Sequence, residues 1–84
     1  MRTEFFVSWT VTTTDGKTRH YSRRFQHENS ARVKMLAVDS RYTTDIRMGR
    51  YDIETITPAY TDHRGLLHPA SECVRCTILA TKHR

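Results

Sequence analysis

The chain is poor in the residues that build special backbone and special chemistry. Among 84 residues there are three glycines, two prolines and two cysteines. Gly16, Gly49 and Gly65 stand far apart, so no glycine-rich loop is available to cradle a nucleotide phosphate. Cys73 and Cys76 are three positions apart. On a strand they point to opposite faces, which is poor geometry for a mutual disulfide. There is no apolar run of about 18 residues and no signal-peptide pattern. These absences lead to the expectation of a cytoplasmic protein with reduced thiols and no membrane partner.

Acidic residues are also scarce. Nine Asp and Glu stand against 14 Lys and Arg, for a formal net charge of +5, and eleven of the 14 cations are arginine. Arginine presents a planar fork suited to phosphate, carboxylate and aromatic faces. Such a surplus reads as a nucleic-acid or nucleoprotein partner, or as the trace of a GC-rich coding sequence. Hydrophobic types make up 37% of the chain, enough for one sheet face covered by one helix.

The clearest pattern is Phe5-Phe6-Val7-Ser8-Trp9-Thr10-Val11-Thr12. Phe5, Val7, Trp9 and Val11 fall on one side of an extended strand, and Phe6, Ser8, Thr10 and Thr12 on the other. Thr14-Asp15-Gly16-Lys17 follows as a turn. A two-residue Asp15-Gly16 loop would set Trp9 opposite Ser22 and Val7 opposite Arg24. A three-residue Thr14-Asp15-Gly16 loop sets Phe5 opposite Phe25, Trp9 opposite Tyr21, Thr10 opposite His20 and Ser8 opposite Ser22. The second register sorts apolar with apolar and is favoured. It leaves Arg19 and Arg23 on the apolar side, with Arg23 able to lie near the Trp9 ring.

Asn29 or Ser30 can cap a helix beginning at Ala31. Ala31, Met35, Val38 and Tyr42 form a stripe suited to packing on the sheet. Val33, Leu36, Ala37 and Ser40 form a second, weaker stripe, which the C-terminal segment or a partner would cover. Residues 46–57 read as a strand with Gly49 as a bend or bulge, ended by Pro58. Residues 58–72 hold Pro58, Gly65 and Pro69 without a sustained period and read as a long loop. Residues 73–82 alternate as a final strand, with a short helix from Ser71 as the competing reading. The expected fold is α+β over 1–84: a small, mainly antiparallel sheet of three to four strands with one α-helix on one face, in ββαβ(β) order.

Few residues carry a chemical signature. His63, His68, Cys73 and Cys76 contain His-x4-His and Cys-x2-Cys spacings that tetrahedral zinc uses. Only four residues separate His68 from Cys73, too few for a helix or hairpin between the pairs, so no metal or other cofactor is expected and a zinc-stabilised adaptor is the weaker alternative. No nucleophile elbow surrounds either cysteine. Asp52 and Glu54 read as a solvated strand face. No enzymatic role is expected.

Binding is the remaining class. Arg19, Arg23 and Arg24 cluster on one strand, and Arg47 and Arg50 open the next predicted one. Were those strands neighbours, the five would form one basic edge, and with Val33 and Leu36 they make the candidate binding residues. A small chain of this element order without a catalytic motif is similar in character to phage or mobile-element modulators, such as anti-defence proteins. The similarity implies a non-enzymatic protein that inhibits or modulates a host protein or nucleoprotein machine by direct contact. The alternative is a basic module acting on DNA or RNA, although no RNA-recognition, KH or helix-turn-helix signature is present.

Overall fold

Asp15-Gly16 closes the first hairpin as the polarity sorting requires. In the computed structural model, which describes residues 1–83, strand β1 (Arg2–Thr12) pairs antiparallel with β2 (Thr18–Phe25). Phe5 faces Phe25, Trp9 faces Tyr21, Thr10 faces His20 and Ser8 faces Ser22. Gly16 takes a φ of +83° and donates to the Thr13 carbonyl at 3.0 Å, while Thr13 donates to the Lys17 carbonyl at 2.8 Å. This is a three-residue loop with its glycine in the left-handed region. Trp9 and Tyr21 stack at 5.6 Å between ring centroids. Lys34, and not Arg23, lies over the Trp9 ring, at 5.4 Å.

The helix α1 (Glu28–Val38) starts earlier than its polar residues suggest. Its N-cap is His27, which makes no side-chain capping bond, so neither Asn29 nor Ser30 is the cap. Ala31 is fully buried, and Met35 and Val38 pack beside it. Tyr42 lies beyond the helix, its ring under the Arg41 guanidinium. Thr43 is buried and donates to the Val38 carbonyl at 2.6 Å, tying the helix end to the next strand.

Strand β3 (Thr43–Thr57) pairs with β1, and β6 (Ser71–His83) pairs with β3, giving an antiparallel sheet in the order β2-β1-β3-β6. The C-terminal segment is thus a strand, and no helix starts at Ser71. One face carries α1 over a core of Val7, Ala31, Ile46 and Met48. Val7 and Met48 are cross-strand partners and the largest side chains fully removed from solvent. Each apolar side chain so buried contributes about 1.5–3 kcal/mol.

The other face has a smaller cluster. Phe6 pairs with Gly49, and its ring stacks on Tyr51 at 4.7 Å. Arg24 lies over the Tyr51 ring at 5.0 Å. Gly49 is not a bend in its own strand. It leaves room for the Phe6 ring, because a Cβ there would stand 2.4 Å from that ring. The bulge lies across the ladder, where Leu79 is the extra residue between partners of Met48 and Gly49.

Residues 58–72 are not an open loop. Short strands β4 (Tyr60–Thr61) and β5 (Leu67–His68) pair with each other and extend the β3–β6 hairpin into a two-stranded arm. β1 accompanies β3 only as far as Ile53, so the arm has no third strand, and the molecule is 58 Å along its longest axis. Pro58 and Pro69 both fall in the gap between the Thr57–Ser71 and Tyr60–His68 pairs. Neither offers an N–H, which explains the interrupted ladder. After the helix the order is therefore four strands in one long hairpin, not the simpler ending read from the sequence.

The arm tip repeats the first hairpin's solution. Gly65 has a φ of +80° and donates to the Asp62 carbonyl. The Asp62 carboxylate accepts from His68 Nε2 at 2.9 Å and from the Leu66 and Arg64 amides at 3.0 and 2.9 Å. Tyr60 stacks on His68 at 4.6 Å.

Two outcomes follow. Gly49→Ala is expected to cost about 1–3 kcal/mol through overpacking against Phe6, read as a lower urea midpoint; an unchanged midpoint contradicts the ring placement. The second concerns acid. His68, then the Leu66 and Arg64 amides, hold the Asp62 carboxyl below its ordinary value of 3.8. A lowered folded-state pKa means the closed tip keeps its full gain above 3.8 and loses it as pH falls through the lowered value. Tyr60–His68 cross-strand NOEs are expected to weaken only in that acid range, and to be weak at neutral pH in Asp62→Asn. Full NOEs in the variant would show that the carboxylate does not close the tip.

Candidate binding surface

The five arginines expected on one edge are divided by the fold. β1 lies between β2 and β3, so the strands carrying them are not neighbours. Register places Arg19 and Arg23 on the helix side of β2, level with Trp9's neighbours Val11 and Val7. Arg24 and Arg47 lie on the opposite face with Phe6 and Ser8. Arg24 is neutralised by Glu4 at 3.2 Å and Arg50 by Asp52 at 3.2 Å. Among the described residues, Arg19, Arg23 and Arg47 have no carboxylate partner.

The second stripe of α1 is uncovered. β6 ends the sheet on the side away from β2 and does not reach it. Val33 is 66% exposed and Leu36 77%. Val33 and Ala37 border a cavity of about 420 Å³ between α1 and the end of β2. Phe25 forms its apolar wall, Asn29 and Ser30 its polar rim, and Lys34 stands at its edge. Leu36 stands outside it. Among the described residues, no carboxylate lines this groove. The structure thus joins Val33 to the Arg19 and Arg23 side of β2, which is itself an edge strand with one row of backbone groups unpaired.

The opposite face holds a second cavity, of about 330 Å³, with Ser8, Thr10, His20, Asp45 and Arg47 in its lining. Thr10 Oγ1 and His20 Nδ1 are 3.0 Å apart. Asp45 is occupied by His83. The site can offer hydrogen bonds and one cation. Asp15 and Asp62 are both held below the ordinary carboxylate value by hydrogen bonds that close hairpin tips.

The zinc candidates are not assembled. His63 is exposed on the arm tip, and His68 is engaged by Asp62. Cys73 and Cys76 are exposed free thiols opposite Glu54 and Tyr51, on different faces of β6. Among the described residues no three His, Cys, Asp or Glu side chains gather where they could hold a metal ion. No described helix is long and apolar enough to cross a membrane.

Sequence reasoning missed Phe25, Asn29, Lys34 and the groove they frame. The local signal is that Val33 and Ala37 are apolar helix residues left over once one stripe is assigned to the core; Phe25 gives none, because the hairpin register already pairs it with Phe5 and it packs beside the core. The division of the helix into a packed and an open side is testable. Leu36→Lys is expected to change stability by less than about 0.5 kcal/mol, and Met35→Lys to lower it by more than about 1 kcal/mol. Equal losses in thermal denaturation would mean that both stripes are covered. The chain matches no family model, no curated protein and no solved structure.

Proposed function

We propose that this chain is a non-enzymatic binding protein that modulates a larger protein or nucleoprotein machine by direct contact. The observation that carries this reading is one surface where unneutralised arginines, an uncovered helix stripe and an open sheet edge coincide. Arg19 and Arg23 lack carboxylate partners among the described residues, Val33 and Leu36 are exposed, and β2 ends the sheet. A patch with an apolar centre and a charged rim is the ordinary composition of a protein interface.

Direct nucleic-acid binding finds less support. Base stacking needs a free ring face. On the polar face of the sheet Phe6 is buried and the Tyr51 ring is engaged by Phe6 and Arg24, and the exposed Tyr21 and Tyr60 already stack on Trp9 and His68. Arg47, without a carboxylate partner among the described residues, shares its cavity with Asp45.

Affinity capture on the intact chain, from lysate of its source cells, is expected to retain a protein after nuclease digestion and at raised salt. Arg19→Glu with Arg23→Glu is expected to reduce that retention without lowering the melting temperature. Loss of all bound material on nuclease treatment, with steep salt dependence, would favour the nucleic-acid reading.

A further inference from the structure

An edge strand beside a helix, with a groove between them, is the geometry that receives an added strand. Main-chain hydrogen bonds supply affinity in that mode, and alternate side chains entering pockets supply specificity. Here β2 runs eight residues with its outer row of N–H and C=O groups unpaired, a length of about 26 Å. On the helix side β2 presents Arg19, Tyr21, Arg23 and Phe25 in succession, since alternate residues share a face. Tyr21 is 43% exposed. Phe25 opens into the groove with Val33 and Ala37.

From this surface we infer that the partner contributes an extended acidic peptide segment, which adds a fifth strand to the sheet along β2. This rests on the binding-protein reading above and specifies its partner. Charge selects the occupant. Arg19, Arg23 and Lys34 border the path, and among the described residues none of them has a carboxylate partner and no carboxylate lines the groove. A basic or neutral segment would leave those cations unmatched, whereas Asp or Glu opposite each arginine gives forked ion pairs.

The register fixes the pattern. Residues opposite one another in adjacent strands share a face. Along the helix side the added strand carries an acidic residue opposite Arg19, an apolar one opposite Tyr21, an acidic one opposite Arg23 and an apolar one opposite Phe25. The last enters the groove against Val33 and Ala37. The intervening side chains lie on the other face beside His20, Ser22 and Arg24, and are polar.

The test uses the intact chain and a fluorescein-labelled peptide with Glu, Leu, Glu and Leu at alternate positions and Thr between them. Saturable binding by anisotropy is expected, with none for the peptide carrying Lys in place of Glu. Amide shifts on binding are expected in residues 18–25 and 29–37. Ala37→Arg, at an exposed position, is expected to abolish binding with no change in melting temperature. Arg19→Glu with Arg23→Glu is expected to weaken it about tenfold. Absence of binding, equal binding of the Lys peptide, or shifts along β6 or the arm would overturn the inference. If the peptide fails while captured partner is retained equally by wild type and Ala37→Arg, the groove falls and the binding-protein reading stands. If capture also fails, both fall.

Discussion

The pairing of Val7 with Met48 holds the rest of the molecule in place. It joins the two central strands at the point where both side chains are fully buried, in one cluster with Ala31 of the helix. The small Ala31 lets the helix backbone come close to the sheet, and Ile46, Trp9 and Phe25 close around that contact. Everything outside this centre is thinner. β2 is attached on one edge only, α1 rests on the sheet with one stripe, and the arm beyond Ile53 is a ribbon of two strands. Stability and exposure are therefore divided: the central strands hold the fold, and the periphery keeps its side chains available.

The periphery is not uniform. On the side opposite the helix, Phe6 stacks on Tyr51, Arg24 lies over the Tyr51 ring, and Gly49 leaves room for Phe6. On the helix side of β2 and at the groove the reverse holds: Arg19, Arg23 and Lys34 have no carboxylate partner among the described residues, while Arg32 on α1 is paired with Glu28, and Val33 and Leu36 lack cover. The arm exposes Ile56, Leu66 and Leu67, but of its charges Arg64 is set against Glu54, Asp62 and Glu72. The basic surplus is not there. This contrast is what directs the functional reading to the helix side of β2.

Local pattern carried the first hairpin completely. Asp15-Gly16 allows two loop lengths, and only one of them matches Phe5 with Phe25 and Trp9 with Tyr21. The arm was hidden because Pro58 and Pro69 break its ladder at the same level, and what remains on either side is two residues long. Gly49 was legible as a special position, but its reason, the Phe6 ring of another strand, is a long-range contact. The arginine edge failed for a similar cause. Strand order is set by which faces close over the helix, and no short stretch of sequence records that β1 comes between β2 and β3. Val33 and Leu36 could be named as an excess apolar stripe, while the wall that Phe25 supplies depended on the helix starting at Glu28, without a side-chain cap.

Hydrogen exchange of the intact chain, free and with its captured partner, tests the central claim most directly. The account expects new protection in Thr18–Phe25 and in residues 29–37, with exchange across β1 and β3 unchanged because the core already protects them. Protection gained along β6, in the arm or over the Ser8–Arg47 cavity, with β2 unaffected, would contradict it.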